Sequence, residues 1–121
     1  MKNYQKNVDI NEIKEFLKLN EGCNFYLNLN AYGENGEIKE IPMERLTYKE
    51  DENYIYINDF AVSVEHIAHF YPTNKWGSWV RIALYTDEKN SYNEINLRNN
   101  MGKGIPFKLT PYIEKMMKDK V

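Results

Sequence analysis

Three arginines stand among thirteen lysines in this chain of 121 residues, and two of them, Arg81 and Arg98, lie in alternating runs beside aromatic rings. A guanidinium supplies a planar bidentate donor and a stacking surface that an ammonium lacks, so these two positions are where chemistry is first sought. At a two-residue period Val80, Ile82 and Leu84 share one face of the run 78–86, and Trp79, Arg81, Ala83 and Tyr85 share the other. The run 92–98 repeats the plan, with Ile95 and Leu97 opposed to Tyr92, Glu94, Asn96 and Arg98. Paired as a hairpin across 87–91, the two give a polar sheet face carrying two arginines, two tyrosines and a tryptophan. Arginine over an aromatic ring is the physical means of sandwiching a base, with stacking contributing about 1–3 kcal/mol per base. A second arginine nearby would hold phosphate in a bidentate grip. Tyr, Trp and Arg also anchor protein interfaces, so the pattern fits a ligand face and an interface alike.

Other residues capable of chemistry point elsewhere with less force. His66 and His69, three apart, could share a helical face, but zinc needs three or four ligands and the single Cys23 is distant in sequence. No nucleophile or second acid is spaced to make the pair a general base. The carboxylates of Glu50, Asp51, Glu52, Asp87 and Glu88 fall in expected turns, where solvent accounts for them. The segment 99–104 offers Gly102, Gly104 and Lys103 without the fixed spacing of a Walker loop, and reads as a connector. Trp76, beside Gly77 at a loop end, is a further candidate contact residue. No catalytic residue, metal set or cofactor is therefore expected, and the chain reads as a binder rather than an enzyme.

Composition narrows the partners. A net charge of −2 argues against bulk duplex nucleic acid, whose backbone-driven binding needs a basic stripe. There is no apolar run near 18 residues and no charged-then-apolar leader, so neither a membrane span nor export is expected. With one cysteine no internal disulfide forms, which suits a cytoplasmic location. The length suits one domain over 1–121, able to bury roughly two thirds of its unfolded surface. The excess of Lys, Asn, Ile and Tyr is the bias of chains from AT-rich genomes.

The elements that must position the polar face follow from local signals. Asp9 as N-cap, Glu12 three residues on, and the stripe Ile10, Ile13, Phe16 and Leu17 begin a helix that Gly22 ends. From Cys23 to Tyr32 strict alternation predicts a half-buried strand, with Tyr26, Asn28 and Asn30 on its polar side. Asn35-Gly36 predicts a two-residue type I′ turn into a strand over 37–41, which Pro42 interrupts or forces to an edge. Strands are expected over 43–49 and 54–58, and again from Phe60, continuing through Phe70 and Tyr71 by a bulge or else yielding to a helical turn. A short edge strand over 105–109 precedes a last helix with Thr110 as N-cap and Pro111 at its first position. The fold class expected is α+β: an antiparallel sheet core with an N-terminal and a C-terminal helix.

In size, AT-rich style, a leading helix over 9–20 followed by an antiparallel sheet, and the aromatic pair Phe70-Tyr71 upstream of Arg81 and Arg98, the chain resembles the phage Thoeris anti-defence proteins. That resemblance implies sequestration of a cyclic nucleotide or cyclic ADP-ribose immune signal without cleavage, in host cytoplasm, by a homo-oligomer that grips adenine between a ring and an arginine. It implies Phe70 or Tyr71 as the ring, Arg98 as the stacking cation, and Arg81 or Asn90 as ribose or phosphate partner. The alternative is an inhibitor of the anti-CRISPR type, which binds a bacterial defence protein through an acidic face such as Glu50 to Glu52.

Overall fold

The amphipathic helix α1 (Ile10–Leu19) sets the geometry of the core. The Asp9 carboxylate accepts the Asn11 N–H at 2.9 Å and so caps one of the helix's open donors. Ile13, Phe16 and Leu17 are buried, and Phe16 meets Phe70 and Phe107 edge-on, with ring centres 5.4 and 5.5 Å away. The helix ends at Asn20, and Gly22 turns the chain with a φ of +89°, a conformation that side-chain-bearing residues resist. The computed structural model describes residues 9–31, 37–43, 45–73, 77–85, 93–99 and 107–119.

The strands are β1 (Phe25–Ala31), β2 (Glu37–Met43), β3 (Tyr48–Glu50), β4 (Tyr54–Ile57), β5 (Phe60–Ser63), β6 (Ile67–Pro72), β7 (Trp79–Leu84) and β8 (Glu94–Asn99). A single 3₁₀ turn, Val64–His66, separates β5 from β6, and α2 (Pro111–Asp119) follows the strands. Five strands form an antiparallel sheet in the order β2-β1-β8-β7-β6, and β3-β4-β5 form a smaller one. The fold is α+β, with a helix near either end of the described chain. Phe25, Leu27, Leu29, Val80, Ile82, Ile95, Leu97 and Phe70 on the large sheet join Ile55, Ile57 and Val62 of the small sheet in one buried cluster with α1 and Ile113 of α2. Each such side chain contributes about 1.5–3 kcal/mol by leaving water.

The expected hairpin is present, with Arg81 opposite Asn96 and Trp79 opposite Arg98. Pro42 lies in β2, an edge strand of the large sheet, where its missing N–H costs no ladder bond. The final helix starts as expected: the Thr110 hydroxyl accepts the Ile113 N–H at 3.4 Å and Pro111 is its first residue.

Four expectations need correction. The alternating run from Phe60 is not one strand, because the 3₁₀ turn at Val64–His66 ends β5 in the small sheet and starts β6 in the large one. A register shift between Ile67 and His69 lies within β6, in its pairing with β7, and does not link β6 to β5. The expected strand over 43–49 is divided: Met43 closes β2 and Tyr48 opens β3 in the other sheet. Residues 107–109 are not a strand; Asn20 holds them instead, its Nδ2 donating to the Lys108 carbonyl at 2.9 Å and its Oδ1 accepting the Lys108 N–H at 2.7 Å. Lastly, the Asn35-Gly36 turn lies outside the described residues, but its flanking register is not that of a two-residue turn. Such a turn would set Ala31 against Glu40, whereas Ala31 pairs with Glu37 and Glu40 with Asn28. Among the described residues no helix is long and apolar enough to cross a membrane.

Candidate functional site

The face of the large sheet turned away from the core is built in rows across the strands. One row runs Tyr71, Arg81, Asn96, Asn28, Glu40 from β6 to β2. The next runs Trp79, Arg98, Tyr26 across β7, β8 and β1. A third brings His69, Ala83, Glu94 and Asn30 together. Side chains two apart on a strand point the same way, so all these groups share one face.

Their contacts make a layered polar network. The Asn96 carboxamide oxygen accepts the Trp79 indole N–H at 2.9 Å and the Arg81 Nε–H at 2.8 Å. An Arg81 terminal nitrogen lies 3.2 Å from a Glu94 carboxylate oxygen and donates to the Tyr71 hydroxyl at 3.3 Å. The other Glu94 oxygen accepts from the Asn30 amide at 3.0 Å. Asn96 is only 1% exposed and Glu94 9%. Arg81 is thus a fixed internal cation, spent on holding the face together.

Arg98 is placed differently. Its guanidinium carbon lies 4.6 Å from the centre of the Trp79 ring, closer than Arg81 lies to Trp79 at 5.6 Å or to Tyr71 at 5.8 Å. Cation and ring attract at such distances, and Trp79, fixed by its bond to Asn96, sets the guanidinium's tilt. Arg98 then lines a cleft of about 250 Å³ together with Tyr26, Asn28 and Glu40. Tyr26 is 38% exposed, and Asn28 donates weakly to Glu40 at 3.4 Å. The cleft is smaller than the ~300–1,000 Å³ that encloses a drug-sized molecule. It has room for one base-sized group.

Beside the cleft lining, within the polar network, one group is unsatisfied: the Asn96 Nδ2 is enclosed and finds no hydrogen-bond partner, while the Asn96 oxygen is committed to two donors on β7. A buried donor without an acceptor costs about 1–3 kcal/mol, the kind of local debt that functional sites carry.

Of the residues singled out in the sequence, Tyr71, Arg81 and Arg98 share this face. Phe70 does not: it is 1% exposed on the core side, stacked on Tyr112 with ring centres 6.1 Å apart. The ring packed against Arg98 is that of Trp79. Asn90, Trp76, Tyr92 and the segment 100–104 lie outside the described residues. His66 sits in the 3₁₀ turn and His69 on β6, so they share no helix, and no group of three or more potential metal ligands occurs among the described residues. Arg45 is exposed and remote in the chain from this face, its carbonyl accepting the Asn58 amide at 2.8 Å.

The acidic turn has internal work. Glu50 meets Lys14 at 2.7 Å and Lys18 at 3.1 Å, and these bonds, Lys14 foremost, hold its carboxyl below the usual range. Asp51 accepts the Tyr56 hydroxyl at 2.8 Å and the Asn53 and Tyr54 N–H groups at 2.9 Å, which lowers its carboxyl likewise. Cys23 is half-buried and its thiol is pushed up by that burial, which disfavours the reactive thiolate.

The fold and face together define an α+β sheet protein with an arginine- and aromatic-lined cleft. Compared with protein families, with curated proteins and with solved structures, the chain finds no match in any of the three.

Proposed function

We propose that this protein binds a small nucleotide-derived signalling molecule over β1 of the polar face and holds it without cleaving it, a sequestering protein of the phage anti-defence type. The observation that carries the reading is Arg98, held against Trp79 at 4.6 Å while lining the cleft with Tyr26. A planar base entering the cleft meets a phenol ring on which it can stack and a guanidinium whose planar fork can bond its edge. Sequestration needs no reacting group: a tight site lowers free ligand by mass action, and one local cation serves where a basic protein is not required. A homo-oligomer belongs to the same reading, with copies closing over the ligand.

Calorimetric titration against cyclic mononucleotides, cyclic dinucleotides and cyclic ADP-ribose tests it, with native mass spectrometry of the same samples reading chains per ligand. Micromolar or tighter binding of at least one compound is expected, released chemically intact. Arg98→Ala and Trp79→Ala should each weaken it about tenfold to a hundredfold, the scale of one stacking contact. Arg98→Lys should fall nearly as far, since it keeps charge but not the planar fork. No binding across the panel, or full affinity in folded Arg98→Ala, would sink the reading.

A further inference from the structure

The carboxylate at the far wall of the cleft carries information about which base enters. Glu40 stands on β2 and Arg98 on β8, with β1 between them. Glu40 faces Asn96 across Asn28, whereas Arg98 faces Tyr26, so the two are diagonal neighbours with backbones about 12 Å apart. A purine lying over Tyr26 and Asn28 would therefore have a guanidinium at one edge and a carboxylate at another. We infer that the cleft selects guanine: Arg98 donates to its O6 and N7, and Glu40 accepts from its N1–H and 2-amino group. This rests on the nucleotide reading above and narrows its ligand to a guanine-bearing molecule, away from cyclic ADP-ribose with its adenine.

Donor and acceptor matching decides the choice. An ionised carboxylate only accepts, at roughly four lone-pair sites, and the 3.4 Å contact from Asn28 engages one of them weakly. Guanine alone among the common bases offers two adjacent N–H donors on its pairing edge. Adenine and cytosine set one donor beside an acceptor, and uracil sets one donor between two acceptors, so each would turn a lone pair toward Glu40. On the adjoining edge, arginine bidentate to O6 and N7 is the commonest specific contact to guanine. Glu40 and Arg98 thus present the complementary pair of forks, and their charges cancel, so the cleft rewards a base edge rather than bare anion.

GMP, IMP and AMP are the probes, because IMP is GMP without the 2-amino group. Titrated into the full chain, GMP should bind at least tenfold more tightly than AMP, with IMP between them. Glu40→Gln replaces one acceptor by a donor and should bring GMP and AMP within a factor of about two or three. Glu40 is exposed, so its variant should melt with the wild type. Equal binding of GMP and AMP, or a preference unchanged in Glu40→Gln, overturns the guanine assignment while leaving nucleotide binding intact. No binding of any of the three, when the wider panel also fails, overturns both.

Discussion

Arg81 and Arg98 are two places apart along the polar face and do different work. Arg81 is bonded to Asn96, Tyr71 and Glu94, with 22% of its side chain and 11% of the glutamate's exposed. Removing one partner of such a pair strands the other charge in a place that water reaches poorly, which costs more than the pair contributes. Arg81→Leu is accordingly expected to lower unfolding free energy by about 2–3 kcal/mol in urea titration. Arg81→Leu with Glu94→Gln should lose less than Arg81→Leu alone, because no unpaired charge remains; an equal or greater loss would show that geometry, not charge, dominates. Arg98 stacks on Trp79 and faces the cleft, so its truncation should cost ligand affinity first and stability little.

At the scale of elements, the segment between β8 and α2 is held by one side chain of α1. Asn20 is 2% exposed and satisfies both backbone groups of Lys108 while its amide also donates to the Phe16 carbonyl at 2.9 Å. Asn20→Ala leaves both Lys108 backbone groups short of a partner, and a loss of about 2–4 kcal/mol in chemical denaturation is expected; a loss under about 0.5 kcal/mol would mean that water replaces the amide freely. A second tether to the same segment is Gly77, whose carbonyl accepts the Phe107 N–H at 2.9 Å. Its φ is +73°, and a Cβ there would come within 2.9 Å of Leu109. These contacts join positions far apart in sequence, which is why periodicity assigned 105–109 to a strand. The same limit applied to Glu40. Counting from a two-residue turn at Asn35-Gly36 puts it opposite Ala31, on the core side, and the observed register moves it to the polar side. The faces of β1, β7 and β8, by contrast, were readable from alternation alone, because each has one buried face and one polar face. The packing of Arg98 on Trp79 was also within reach, since the hairpin register sets them opposite; of the two rings that the resemblance offered, Phe70 turns to the core and Tyr71 to the polar face.

For the molecule as a whole, the acidic turn adds ionic links between pieces that the apolar core already joins. Glu50 bridges β3 to α1 through Lys14 and Lys18, and Asp51 closes the turn into β4. Both carboxyls sit below their ordinary values when folded, so each adds stability that is fully present above about pH 4–4.5, where the unfolded groups ionise. That contribution disappears as pH falls through the lowered folded values. Thermal melts from pH 7 to pH 2 should therefore show a decline confined to the acid side, flatter in Glu50→Gln with Asp51→Asn; an unaltered profile in that double variant would assign the decline to other carboxylates. The strand at the middle of the large sheet gives the site its own character. β8 is hydrogen-bonded on both edges, to β1 and to β7, and sends Ile95 and Leu97 into the core while holding out Glu94, Asn96 and Arg98. Strands so placed part from their neighbours only when everything else does. A guest leaning on β8 thus has a wall that does not breathe. Its residence time is set at the mouth of the cleft, and the same grip that detains it registers as added resistance of the entire chain to unfolding.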